Sequence, residues 1–161
     1  MPSASSSSTP GSSGGSGYSG TPLPTKLGIK AEHRVLLVAA PPDFALDPLP
    51  GGVTIDHAAS GRYDAASGLY DVVLVFCANQ AALVGSFDPL KQRLGPASAL
   101  WVAWPKKSSQ VPTDLTENGV REHGLAGGLV DVKICAVDPV WSGLKFVYRT
   151  ADRPTVSRTQ A

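Results

Sequence analysis

The sequence lacks most of the features that assign a protein to a class at first sight. Its 14 lysine and arginine residues nearly balance its 13 aspartate and glutamate residues, and no basic block indicates a nucleic-acid surface. No apolar run approaches the roughly 20 residues that a membrane-spanning helix needs. Only two cysteines are present, and the N-terminus has neither the basic start nor the apolar run of a signal peptide. These absences predict a cytoplasmic protein that binds neither nucleic acid nor membrane.

A second group of absences concerns catalysis. The chain has no GxSxG, no Walker loop and no HExxH, and His33, His57 and His123 do not have the spacing of metal ligands. The first buried run, 34–40, is followed by Pro41-Pro42 and not by the glycine-rich turn that brings a dinucleotide close to the backbone. We therefore predict no catalytic residues, no metal and no cofactor, and we favour the interpretation that the chain is not an enzyme.

Composition divides the chain into three segments. Residues 1–17 are rich in serine, glycine and proline and have no charged or aromatic side chain, so they cannot bury enough apolar surface to offset their ordering entropy. We expect them to form a disordered leader and residues 151–161 to form a loose tail. The intervening segment, 18–150, is long enough for one domain with a hydrophobic core.

Apolar runs predict the strands of an α/β domain. Three of them, 34–40, 72–77 and 99–104, are typical of strands buried on both faces of a parallel sheet. A short strand is predicted over 52–56, and alternating residues over 129–137 and 144–149 indicate an antiparallel hairpin whose connection carries Trp141. We therefore predict a single three-layer Rossmann-like domain, with a mostly parallel central sheet and a C-terminal antiparallel hairpin.

Two helices are predicted between the later strands. Asn79 is a suitable N-cap for the first, Asp88-Pro89 indicates a second start, and Gly95-Pro96 indicates a stop. Asp114, with Glu117 three residues later, predicts the start of the other helix. One apolar stripe follows the spacing of a buried helical face: Leu83, Phe87, Leu90 and Leu94.

The best candidate binding site follows the strand predicted over 99–104. Lys106 and Lys107 come directly after it, and Thr113 and Thr116 lie near the amino end of the next helix. Ligands bind at the carboxyl ends of strands in open α/β sheets, and helix amino ends attract anions. A phosphate or carboxylate held by these four residues is the functional hypothesis; the alternative is an ordinary loop with solvated lysines and a capped helix.

Other residues carry weaker hypotheses. Asp56 ends the predicted strand 52–56, where an acid often binds ribose. Trp141 either lines a pocket or covers the hairpin. Trp101 and Trp104 are three apart on a strand and point to opposite faces, so both are predicted to pack in the core. We expect the two cysteines to be small buried hydrophobes and not a redox pair: Cys77 and Cys135.

The order of elements resembles two known groups. The latter half of the chain resembles that of class I methyltransferases: YDVVLVF, a helix, GPASALWVAWP, a second helix and a hairpin. That resemblance implies the fold and a nucleotide site after the first strand. Across 18–149 the chain also resembles a bacterial family of unknown function numbered 3052, common in actinobacteria. The motifs that carry this second resemblance are GYSGTPLPTKLGIK, LWVAWPKK, PTDLTE, GLVDVKICAVD and WSGLKF. It implies no known activity and transfers no catalytic residues.

Three hypotheses follow from these observations. The leading one is a non-catalytic module that binds a small anionic ligand or a protein partner through the segment 104–116. The first alternative is a methyltransferase-like enzyme that uses a nucleotide-like ligand at the same edge, contacted by Asp56 and the lysine pair. The second alternative is a homo-oligomer formed through the exposed edge of the hairpin.

Overall fold

The computed structural model describes residues 21–59 and 68–149. The predicted leader 1–17 and tail 151–161 lie outside these residues. Three helices and six strands follow one another in chain order: α1 (Leu23–Leu27), β1 (Arg34–Val38), β2 (Thr54–Ala58), β3 (Tyr70–Phe76), α2 (Gln80–Lys91), β4 (Leu94–Pro105), α3 (Glu117–Ala126), β5 (Leu129–Ala136) and β6 (Trp141–Tyr148).

The six strands form one sheet in the order β2-β1-β3-β4-β6-β5. The first four strands are parallel, whereas β6 runs antiparallel to both β4 and β5. The long apolar strands are central because only there are both faces covered. This arrangement confirms the predicted fold class, a Rossmann-like α/β domain with a mostly parallel sheet and a terminal hairpin.

Each face of the sheet is covered by a separate hydrophobic cluster. On the helical face, Leu83, Phe87 and Leu90 of α2 and Val120 of α3 pack on the strands. On the opposite face, called here the coil face, α1 and non-helical chain do so. Successive strand residues alternate between the clusters. Trp101 is buried on the coil face and Trp104 on the helical face, which confirms their predicted core positions.

Two element boundaries differ from the predicted ones because pairing and side chains override local signals. β2 begins at Thr54, opposite Arg34 in the register with β1, and runs to Ala58, so Asp56 does not end it. β4 begins at Leu94, before the apolar run, because Leu94 pairs with Tyr70. Ser98 supports that extension: its hydroxyl accepts a hydrogen bond from Gly95 N and donates one to Tyr70 O.

Helix limits also differ from the predicted ones. Asn79 caps α2 as predicted, through a 2.9 Å hydrogen bond from Ala82 N, but α2 continues through Asp88-Pro89 without a second start. The predicted apolar stripe is buried along its whole length. The α3 cap is Thr116, which accepts from Gly119 N, and not Asp114.

Candidate functional site

The carboxyl ends of the four parallel strands meet at one edge of the sheet, called here the carboxyl edge. The chain leaves β1 toward β2 on one side and leaves β3 toward β4 on the other. The strand order therefore reverses between β1 and β3. In open α/β sheets, a crevice for ligands lies at such a switch point. The segments that border it are 39–41 after β1 and 77–79 after β3.

Small side chains dominate this switch point. Alanines end or follow three neighbouring strands: Ala39 and Ala40 after β1, Ala58 and Ala59 at the end of β2, and Ala78 after β3. A methyl group leaves the backbone open to close approach by a ligand. Five such positions lie at this one edge of the sheet.

The turn after β1 has a left-handed residue although it has no glycine. Ala39 has φ = +59°, a conformation that costs a non-glycine residue on the order of 1 kcal/mol and is concentrated at functional sites. Its N–H donates to Ala58 O at 2.9 Å, which holds the turn against β2. The backbone thus turns sharply at this position without a glycine, and alanine carries no sequence signal for that turn.

Aromatic side chains line the coil-face side of the carboxyl edge. Phe76, the last residue of β3, lies between Phe44 and Trp141, with ring centroids 5.0 and 5.1 Å away and edge-on geometry in both pairs. Trp141 opens β6 opposite Pro105 and is half-buried, so it is not part of the hairpin connection. Sequence reasoning missed Phe44 and Phe76 because nothing local links a loop phenylalanine to a strand end.

The residues of the predicted anion site are only partly brought together. Lys106 is half-buried at the end of β4, and Lys107 is exposed in a short 3-10 turn. The Thr113 hydroxyl accepts from Leu115 N, and the Thr116 hydroxyl caps α3. Both threonines therefore have structural partners at the very atoms that were expected to bind the anion.

Asp114 serves a different helix from the one predicted. Its carboxylate accepts a 2.7 Å hydrogen bond from Gln80 N, the first backbone amide of α2. A carboxylate at a helix amino end is stabilised by the free N–H groups and the helix dipole. Asp114 thus ties the loop after β4 to the segment after β3 and closes the α2 amino end beside the switch point.

Asp56 belongs to a polar network halfway along β2, the outermost strand of the sheet. It lies opposite Leu36, two residues before the end of β2. Its carboxylate accepts hydrogen bonds from Tyr70 Oη at 2.6 Å and from Arg34 Nη2 at 3.3 Å. The Arg34 guanidinium also stacks 4.3 Å from the Tyr70 ring centroid. These contacts give Asp56 structural partners away from the carboxyl edge.

The two cysteines are both free, Cys77 buried and Cys135 half-buried. They lie in different clusters, with β4 and β6 between their strands. Burial raises the pKa of Cys77 to about 12, and burial also raises the pKa of Cys135. Among residues 21–59 and 68–149, no group of three or more histidine, cysteine or acidic residues could hold a metal ion.

We expect thiol chemistry to distinguish the two cysteines. At pH 8, a pKa of about 12 leaves Cys77 roughly 1,000-fold less thiolate than an ordinary cysteine. A thiol reagent followed by peptide mass spectrometry should modify Cys135 well before Cys77 in the native protein. In guanidinium chloride both should react at similar rates; native modification of Cys77 ahead of Cys135 would contradict this assignment.

The fold is a Rossmann-like α/β fold similar to that of solved methyltransferases. The precorrin-6y C5,15-methyltransferase of Geobacter metallireducens matches 79% of this chain and 86% of its own, with 11% identity and a TM-score of 0.55. Aeropyrum pernix fibrillarin with natively bound S-adenosyl-L-methionine matches 81% and 70%, with 15% identity and a TM-score of 0.50. At such identities the likeness establishes the fold alone.

Sequence comparisons give no family. No protein-family model matches the chain, and no curated protein matches it. The resemblance to the bacterial family numbered 3052 therefore stays a prediction. No helix within the described part of the chain is long and apolar enough to cross a membrane.

The comparisons correct two predictions. The leading hypothesis, a non-catalytic binding module, is not supported, and the methyltransferase-like alternative is supported better. The partner prediction is wrong as stated: the similar structure of Aeropyrum pernix fibrillarin holds S-adenosyl-L-methionine, which that prediction did not include. A balanced net charge is also no ground for excluding nucleic acid, because the number of lysines says nothing about where they gather.

Proposed function

We propose that the chain is a methyltransferase-like protein that binds a nucleotide-like ligand, with S-adenosylmethionine as the first candidate, at the switch point between β1 and β3. The observation that carries the proposal is the left-handed turn at Ala39, which borders a strand-order reversal lined by alanines. A ligand there would meet the turn with only methyl side chains at Ala39, Ala40 and Ala78.

The side chains at this edge suit such a ligand in part. The backbone after β1 and the small residues Ala40 and Ala78 would accommodate its polar part, and the half-buried ring of Trp141 offers apolar surface to a base. Lys106 and Lys107 remain the proposed cationic contacts. S-adenosylmethionine, when bound, supplies an activated methyl group. Asp56 is left out, because Tyr70 and Arg34 already bind its carboxylate.

A thermal-shift titration of the full chain with S-adenosylmethionine and with its demethylated product tests the proposal. A ligand at 100 times its Kd stabilises the folded state by about 2.7 kcal/mol, so a rise of several degrees in Tm is expected. The two compounds share the adenosine part, and both should act. No shift with either compound at millimolar concentration would overturn the proposal.

Filling the switch point should weaken that binding. Ala78 is exposed directly after β3, and Ala78→Trp places a large ring at the crevice. We expect Ala78→Trp to raise the Kd for S-adenosylmethionine at least tenfold, or about 1.4 kcal/mol, by isothermal titration calorimetry. Ala97→Trp is the matched control, since Ala97 is equally exposed but lies near the amino end of β4. Equal Kd values for both variants would place the ligand elsewhere.

A further inference from the structure

Lysines that are far apart in the sequence gather on the coil face. Lys133 of β5 and Lys145 of β6 are directly paired across the hairpin. The Lys133 ammonium donates to Lys26 O of α1 at 3.4 Å, and Lys145 Nζ lies 3.7 Å from where a Cβ on Gly28 would stand. Lys30, two residues beyond Gly28, completes the group. We call Lys26, Lys30, Lys133 and Lys145 the lysine patch.

The charges of the lysine patch repel one another. Like charges directly opposite on neighbouring strands are destabilising. Burial lowers the pKa of Lys145, and the positive charges of Lys133 and Lys30 lower it further. The three ion pairs formed among the described residues involve only Arg34 and Arg121 as cations. Lys30, Lys133 and Lys145 therefore keep charges that no acidic side chain of the described chain neutralises.

We propose that the lysine patch binds the phosphate backbone of a nucleic acid. A polyanion supplies what the patch lacks, because each phosphate that approaches relieves the repulsion between the lysines. Lysine binds phosphate as a point charge. The lysine patch brings several such charges together without acidic partners, and a phosphate backbone offers a run of closely spaced negative charges to match them.

A membrane surface fits the patch less well than a nucleic acid does. Proteins that lie on membranes combine basic residues with apolar side chains that enter the lipid. Most of the exposed large hydrophobic residues of the described chain lie on other elements: Leu49, Val84, Val111 and Leu125. On β5, Ile134 is paired with Leu144, whose side chain faces the helical side. Val132, next to Lys133, is then the one exposed large hydrophobic residue of the described chain beside the patch, which is less than the apolar face of a membrane-binding surface.

The test is fluorescence anisotropy with a labelled single-stranded RNA of mixed sequence and a DNA duplex of the same sequence. We expect a Kd on the order of 10 μM at 50 mM salt, with no sequence preference. For three lysine–phosphate contacts on single-stranded RNA, log affinity should fall against log salt with a slope of about −2. The variant Lys133→Gln/Lys145→Gln should bind at least tenfold more weakly at 50 mM salt, with a slope of about −0.7.

The control removes two positive charges away from the patch. Lys91→Gln/Arg93→Gln changes the end of α2 and the residue before β4, and its affinity for RNA should stay within twofold of the wild type. The patch variant should have an unchanged or higher Tm, since it loses a repulsion, so weaker binding would not reflect unfolding. Absence of binding to either nucleic acid, equal weakening in both variants, or binding only to vesicles with 20% phosphatidylserine would overturn the proposal. None of these results depends on S-adenosylmethionine binding.

Discussion

Replacing Gly124 with alanine is expected to lower the free energy of unfolding by about 3 kcal/mol, the upper range for overpacking a core. Gly124 is buried on the side of α3 that packs against β6. A Cβ there would stand 2.6 Å from Cδ1 of Phe146 and closer still to two other atoms of that ring. Phe146 is fully buried, with the Phe87 ring centroid 6.1 Å away, so its ring has no free space into which it could move.

The same substitution in α2 should act in the opposite direction. Gly85 is a helical glycine with no atom within 4 Å of its added Cβ, so Gly85→Ala should raise stability by roughly 0.5–1 kcal/mol through helix propensity alone. Urea unfolding followed by circular dichroism measures both variants. Phe146→Leu removes the ring that the Cβ meets, and the loss caused by Gly124→Ala should shrink in that background. A Gly124→Ala variant as stable as the wild type would contradict the close packing of α3 on β6.

The strands could be predicted from the sequence wherever burial on two faces left an unbroken apolar run. The run 72–77 is central for that reason, and β3 covers it except for the last residue. The predicted strand boundaries were wrong where pairing with a strand distant in sequence determines them. Gly95-Pro96 has the composition of a helix stop, yet it lies within β4 because Leu94 pairs with Tyr70 and Ser98 bridges both strands. Nothing in the sequence near Gly95-Pro96 indicates that pairing.

The location of the candidate site could be predicted from the sequence, but the roles of its side chains could not. The carboxyl end of β4 lies at the ligand edge of the sheet, as the strand pattern indicated, but the role of each side chain depends on distant atoms. Asp114 was predicted to cap the helix next to it in sequence, and it bonds instead to Gln80, 34 residues earlier. Ala39 has a glycine-like conformation that alanine does not announce. Net charge likewise hides the lysine patch, because it joins two pairs of lysines that lie more than 100 residues apart in the chain.

Replacing Trp101 with phenylalanine is expected to cost about 3 kcal/mol of stability and to release the N-terminal segment locally. Trp101 is fully buried on β4, and its indole Nε1 donates a 3.0 Å hydrogen bond to Leu27 O at the end of α1. Phenylalanine leaves that buried carbonyl without its donor, a loss of about 1–3 kcal/mol, and adds the loss of packing from a smaller ring. The bond fastens α1 to the sheet, so cleavage by trypsin after Lys26 and Lys30 should become faster.

Trp104→Phe is the matched control, since it removes the same volume from the neighbouring layer of the same strand. Trp104 is buried on the helical face, away from α1. Trp104→Phe should therefore lower the free energy of unfolding only through the packing that the smaller ring loses. Cleavage after Lys26 and Lys30, followed by mass spectrometry under native conditions, should then track global stability in Trp104→Phe and exceed it in Trp101→Phe. If Trp101→Phe and Trp104→Phe have the same stability and are cleaved at the same rate, the prediction is wrong. The apolar contacts of Leu27, and not the indole hydrogen bond, would then hold α1 on the coil face.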